Sequence, residues 1–219
     1  MIDAQPETAA ADRPPRSVAG LVVMGGRATR MGGGDKALIT IAGRPALEHL
    51  LERFRPQVGA LALSANGDPA RFGHFGTTVL PDDPDAPEGP LAGVLAGLAW
   101  AAGLPRVTHL ATVPGDAPFP PADLVPRLAE AAGDGAAAAY GPHGVEPLDA
   151  LWPVAALPRL QALAGQGLRS PKRALEELGA VAVMFSGALD FLDLDEPADV
   201  ARAEARLWDQ DAWRERSTR

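Results

Sequence analysis

An α/β fold, a mostly parallel sheet with helices on both faces, is predicted by three observations. Short valine- and alanine-rich apolar runs alternate with helix-period segments, the connections are too long for hairpins, and glycine or proline marks the boundaries. The first run, "SVAGLVVMG", reads as a buried strand that feeds a loop. From Pro45 the period changes: Leu47, Leu50, Leu51, Phe54 and Val58 fall on one helical face, with Pro45 at the first turn. "GALALSAN", Gly59 to Asn66, is a second strand, and after a polar connection the short run "TTVLPDD" ends in two carboxylates. After Pro90, "LAGVLAGLAWAAG" has helical density and stops at Gly103, which suits a C-terminal cap. "VTHLATVPGD" is another apolar run, broken by Pro114 and Gly115. "PPADLVPRLAEAAG" follows as a helix, with Pro121 near its start, Leu124, Val125 and Leu128 on one face and Gly133 at its end. Between Tyr140 and Met184 the pattern is less regular: "GVEPLDALW" reads as extended, "SPKRALEELG" as a short helix and "AVAVMF" as a strand. Glu196 to Trp208 closes the series as a helix with Pro197 in its first turn. One domain is therefore expected over residues 18–208, with 1–17 a disordered lead-in and 209–219 a frayed tail.

Composition agrees with a single globular domain: of 219 residues, 47% are hydrophobic and 22% charged. The net charge of −8 gives no global attraction to nucleic acid or to an anionic membrane, so neither is an expected partner and any polyanion must be met locally. The chain has no cysteine, which excludes disulfides, thiolate metal sites and cysteine nucleophiles. His49, His74, His109 and His143 stand apart, without the paired spacing of a zinc site. The lead-in lacks the basic start and apolar centre of a secretory signal, and no uncharged apolar run reaches the roughly 18 residues of a membrane span. A cytoplasmic location is expected.

The stretch "VVMGGRATRMGGGDK", Val22 to Lys36, sets five glycines and the cations Arg27, Arg30 and Lys36 directly after the first strand. In open α/β sheets ligands sit at the carboxyl ends of the strands, and glycines let backbone amides approach phosphate oxygens closely. Arg30 and Lys36 are the groups that would neutralise a triphosphate. Tight turns alone also place glycines after strands, and neither a P-loop GK[ST] nor a G-x-G-x-x-G is present. Two sites offer carboxylates for Mg²⁺: Asp116 in "VPGDAPF", and Asp82 with Asp83 at the end of "TTVLPDD". Aspartates beside proline also cap turns, the better reading for Asp83 and Asp85. Asn66, at a strand end, has an amide suited to the polar edge of a base or ribose. Arg169, Lys172 and Arg173 in "LRSPKRAL" form a second basic cluster, suited to an acceptor phosphate or to a solvated helix face.

Taken in order, "GLVVMGGRATRMGGGDK", "GRPALEHLL", "LALSANGD", "EGPLAGVLAGL" and "VPGDAPFPP" closely resemble the molybdenum cofactor guanylyltransferase family over about Ala19 to Leu128. The resemblance implies a Rossmann-like nucleotidyltransferase fold that binds GTP with Mg²⁺ and joins GMP to the phosphate of molybdopterin, giving the dinucleotide cofactor and pyrophosphate. On the matching positions it implies that Val23, Met24, Gly25 and Gly26 contact the nucleotide, Met24 standing where the family usually has alanine. It further implies Lys36 on the phosphates with Arg30 assisting, Asn66 and Asp82 on the guanosine, and Asp116 on the Mg²⁺, so that Lys36, Arg30 and Asp116 form the catalytic set. Two segments depart from the family pattern and lie on the side expected to face the pterin: "FLDLDEPADV", with Asp193, Asp195 and Glu196 in place of an asparagine-rich run, and Glu146-Pro147 in place of His-Pro. The alternatives are a cytidylyltransferase of molybdopterin, a sugar-phosphate nucleotidyltransferase, or a non-catalytic nucleotide-binding protein that delivers cofactor to molybdoenzymes or their chaperones.

Overall fold

Val18–Val23 (β1) is buried along its whole length. A strand covered on both faces has no reason to alternate, which is why its sequence is one continuous apolar run. The computed structural model of the protein describes residues 17–24, 35–81, 89–187 and 189–217. Of the expected lead-in only Ser17 lies within these; its carbonyl accepts from the amides of Thr108 and His109.

The remaining strands are Thr40–Ile41 (β2), Arg44–Pro45 (β3), Ala60–Ser64 (β4), Thr78–Leu80 (β5), His109–Pro114 (β6), Ala137–Gly141 (β7), Gly144–Pro153 (β8) and Val181–Met184 (β9). The α-helices are Ala46–Phe54 (α1), Pro90–Ala102 (α2), Leu124–Ala132 (α3), Leu157–Gly165 (α4), Pro171–Glu177 (α5) and Pro197–Ser217 (α6). Seven strands form one sheet in the order β5-β4-β1-β6-β8-β7-β9, and β2 pairs with β3 as a separate hairpin. β1 runs parallel to β4 and β6, β4 to β5, and β7 to β9; β8 alone runs against its neighbours β6 and β7. The sheet is mostly parallel, as predicted.

Side chains of β1 alternate between two cores, as strand geometry requires. Val22 joins Leu47, Leu50 and Phe54 of α1 and Leu124, Val125 and Leu128 of α3 on one face. Leu21 and Val23 join Leu91, Val94 and Leu98 of α2, with Leu160 of α4 and Leu175 of α5, on the other. The glycines of "GPLAGVLAGL" belong to this second contact: a Cβ on Gly93 would stand 2.4 Å from Ser64 Oγ, and one on Gly97 2.5 Å from Leu21 Cδ2. They let α2 lie close on β1 and β4. A third, smaller core of Ile41, Ala46, Phe119, Leu194 and Ala203 docks α6 beside the hairpin.

The topology fixes where a ligand fits. From β1 the chain crosses to β4 and β5 on one side, then returns to β6 on the other side. The carboxyl ends of β1, β4 and β6 therefore border the crevice at which strand order reverses, the usual ligand position in such sheets.

Several elements differ from the expectation. α3 begins at Leu124 rather than near Pro121 because buried Gln57 organises its start: Gln57 Nε2 donates to the Pro121 carbonyl at 2.9 Å, and Gln57 Oε1 accepts from Val125 N at 2.9 Å. β7 is drawn from alanines with little strand preference of their own and is held between β8 and β9. α4 fills part of the stretch read as irregular. α6 is assigned from Pro197 to Ser217, past Trp208, through residues such as Ala212, Arg214 and Glu215 that favour helix. Among the described residues no helix is long and apolar enough to cross a membrane.

Candidate functional site

The three strand ends are tied together where the glycine loop leaves the sheet. Met24 N donates to the Ser64 carbonyl and Gly115 N to the Val23 carbonyl, both at 2.9 Å, so β1 stays in register with β4 and β6 to its last residue. Val23 is buried and Met24 half-buried at this edge. Gly25, Gly26, Arg30 and Asp82 lie outside the described residues.

Lys36 opens the short 3₁₀ turn Lys36–Leu38 that follows the loop. Its ammonium meets two carboxylates from distant parts of the chain: Asp116 Oδ2 at 3.1 Å, just beyond β6, and Asp195 Oδ1 at 2.5 Å, just before α6. The Lys36 and Asp116 side chains are only 15% and 18% exposed, whereas Asp195 is 58% exposed, so water screens the second pair more. Partial burial works against the lysine charge, but hydrogen bonds and attraction from Asp195 and Asp116 outweigh it and hold the Lys36 pKa above its ordinary value. Lys36 is a committed cation.

Asp195 reaches this point through a local device. Asp199, in the first turn of α6, accepts from the amides of Asp195 at 3.0 Å and Glu196 at 2.8 Å. Desolvation opposes its charge, yet those amides and Arg202 hold its pKa below the usual value. Leu194 N donates to the Asp116 carbonyl at 3.0 Å, which lays the segment along the Asp116 loop, and buried Leu194 anchors it in the third core. Sequence reading placed Asp193 and Asp195 on the acceptor side; the fold brings Asp195 to Lys36. The D-x-D spacing ahead of a helix start was the available signal.

Carboxylates are dense around this pair. Burial pushes the Asp193 carboxyl up to about 7, with Asp116, Asp195 and Glu146 adding to the shift and Lys36 opposing it. By surface area Asp193 is exposed, so the crowding by like charges is the sturdier cause. Asp149 on β8 is buried, and its Oδ1 has no hydrogen-bond partner among the described residues. Burial first, then the charges of Glu146, Asp193 and Asp116, raise its pKa well above the usual carboxylate value. Beside Asp193 and Asp195 opens a cavity of about 240 Å³, also lined by Pro142, His143, Phe191 and Arg202.

Asn66 follows β4 on the other flank of the crevice. The second basic cluster is more remote from Lys36 in its bonding: Arg169 Nη1 donates to the carbonyls of Ala164 and Leu168, which cap α4, while Lys172 and Arg173 are exposed on α5. The site thus joins one partly buried cation, two carboxylates that converge on it and the open ends of three parallel strands. This arrangement suits a polyphosphate together with a divalent ion, because carboxylate oxygens are hard ligands and the lysine is a strong anion partner.

Comparison with known proteins agrees with this chemistry. Residues 20–181 match the family described as the MobA-like NTP transferase domain. A molybdenum cofactor guanylyltransferase of Cereibacter sphaeroides is 47% identical over 189 residues, covering 86% of this chain and 96% of that protein. A protein of the same name from Mesorhizobium japonicum is 45% identical over 201 residues, covering 88% and 96%. Among solved structures, molybdopterin-guanine dinucleotide biosynthesis protein A of Archaeoglobus fulgidus shares the fold with a TM-score of 0.66 at 22% identity, over 87% of this chain and 99% of that one. A Mycobacterium tuberculosis protein solved in complex with manganese shares it with a TM-score of 0.60 at 19% identity, over 87% and 98%. The match to the family spans most of the sheet, including β1, β4 and β6 whose ends build the crevice, and the chain belongs to the MobA-like NTP transferase family.

Proposed function

We propose that this protein transfers GMP from GTP to the phosphate of molybdopterin, forming the guanine dinucleotide cofactor and releasing pyrophosphate. The observation that carries the reading is the meeting of Lys36 with Asp116 and Asp195 at the strand-order crevice, in a chain 45–47% identical to guanylyltransferases over nearly their whole length. Relatives of that name make the donor GTP and the acceptor molybdopterin the leading choices.

The roles follow from the geometry. A phosphate oxygen of the acceptor attacks the α-phosphorus of GTP, the bond to the β-phosphate oxygen breaks, and pyrophosphate carries away the electron pair. Lys36 gives up its carboxylate partners for the triphosphate and stabilises the charge that grows on the leaving pyrophosphate, with Arg30 assisting from the glycine loop. Val23, Met24, Gly25 and Gly26 line the nucleotide, and Asn66 and Asp82 hold the guanosine. A phosphate nucleophile is already deprotonated at neutral pH, so positioning and charge stabilisation carry the rate.

The donor set fits Mg²⁺. Asp116 and Asp195 already converge on a cation, and Mg²⁺ is ordinarily held by one or two carboxylates plus substrate phosphates rather than by an all-protein cage. When bound there, the ion supplies charge neutralisation for the phosphates. The acceptor is assigned to the cavity beside Asp193 and Asp195, where Phe191 offers an aromatic face.

The test is pyrophosphate release with molybdopterin and Mg²⁺, comparing GTP, CTP and ATP. Release with GTP well above the others is expected. Preference for CTP would change the donor, and nucleotide binding without release would favour the cofactor-delivery reading.

A further inference from the structure

Arg71 lies in the 3₁₀ helix Pro69–Phe75 that follows β4, and its guanidinium connects two segments of the nucleotide crevice. Nε pairs with Asp35 Oδ2 at 2.8 Å, the two side chains being equally half-buried. Nη2 donates to the Asn66 carbonyl at 2.6 Å and Nη1 to the Asp68 carbonyl at 3.5 Å. The group lies over the Phe72 ring, 4.7 Å from its centroid, which fixes its plane. Gly67 leaves the room: its φ is +85°, and a Cβ there would stand 2.8 Å from Arg71 Nη1.

Asp35 immediately precedes Lys36 and occupies the N-cap position of that lysine's 3₁₀ turn, yet its side chain makes no capping bond. Its carboxylate is turned to Arg71 instead. A carboxylate next in sequence to an anion-binding lysine repels the ligand unless a cation answers it. Arg71 supplies that cation, and the same rigid fork holds the backbone at Asn66. Its ion pair with Asp35 and its bonds to the Asn66 and Asp68 carbonyls turn the guanidinium toward these partners, so it acts through them rather than on a phosphate.

Building on the function proposed above, we propose that Arg71 is a positioning residue for the nucleotide donor: by clamping Asp35 to the Asn66 turn, it sets the lysine that holds the phosphates and the asparagine that holds the nucleoside at the separation one bound GTP requires. The clamp acts on the donor and not on the acceptor.

The test is a double-mutant cycle on the full chain, with GTP and guanosine binding measured by titration and KM measured for both substrates. Arg71→Gln is expected to weaken GTP about tenfold, within the range of coupled neighbours, while guanosine affinity and the KM for molybdopterin stay within about twofold. Asp35→Asn loses a similar factor, the double variant loses no more than Arg71→Gln alone, and Arg71→Lys recovers part of the loss. If Arg71→Gln fails to fold, Asp35→Asn decides alone: unchanged GTP affinity overturns the clamp. Losses that add fully in the double variant, or an equal rise in the KM for molybdopterin, also overturn it. Failure of the wild type to bind any nucleoside triphosphate would remove the functional reading and the clamp together, whereas wild-type binding with additive losses removes only the clamp.

Discussion

Replacing Lys36 with methionine keeps an unbranched stem of similar length and deletes only the charge. In the free protein the ammonium answers Asp116 and Asp195 and also lowers the raised pKa of Asp193. Its removal takes a cation from the proposed phosphate subsite and leaves several carboxylates facing the triphosphate proposed to bind there. Both effects act against the same charge. Loss of one preorganised donor costs on the order of 3 kcal/mol in transition-state stabilisation, about a hundredfold in kcat/KM for GTP. Stability should change little, because the Asp195 carboxylate is already more than half exposed and can rehydrate; a partly exposed pair is worth up to about 1 kcal/mol. The assay is steady-state pyrophosphate release over a range of GTP at saturating acceptor, with the melting temperature followed alongside. A variant within about threefold of wild type in kcat/KM would show that Lys36 does not face the reacting phosphates. A large loss accompanied by unfolding would be read instead from Lys36→Arg, which keeps the charge and should restore most of the fold and part of the rate.

Asp116→Asn and Asp195→Asn should each raise the Mg²⁺ concentration for half-maximal turnover at least about tenfold, the size already seen for outer partners of metal ligands; an unchanged metal titration would remove the residue from the ion's shell. Asp149→Asn should stabilise the protein as pH rises. The native pKa of Asp149 is raised, so the folded state holds a proton that the unfolded chain releases above its ordinary value near 3.8, and that contribution is lost as pH rises toward the native pKa. Melting curves at pH 5 and 8 that show no greater gain at pH 8 would contradict this. His109 behaves in the opposite direction: burial lowers its native pKa, with the carbonyls of Gly135 and Asp134 and the Asp134 charge opposing, so stability is present above the ordinary value near 6.5 and declines as pH falls below it. His109→Gln should flatten that decline in urea titrations from pH 7 to 5.

The strands and helices around the crevice were legible because each announces itself locally. β1 and β6 are continuous apolar runs since both faces are covered, and α2 ends at Gly103 as expected. The glycine loop and the two residues Lys36 and Asp116 carried their chemistry in their type and in their place after apolar runs. β7 was not legible, because its alanines become a strand only between β8 and β9. α4 was missed because it is only 9 residues long, with Pro158 in its first turn and Gly165 at its last residue, which leaves little chain between to show a helical period.

Sequence by itself determined that a mostly parallel sheet would bring Lys36 and Asp116 to one edge, because side-chain period and turn chemistry act between near neighbours. Only the tertiary structure decided that Asp195, 159 residues from Lys36, would meet its ammonium, and that Arg71 would answer Asp35. Those pairings depend on how α6 and the turn after β4 dock, and docking is set by packing among residues far apart in the chain, which no local pattern records.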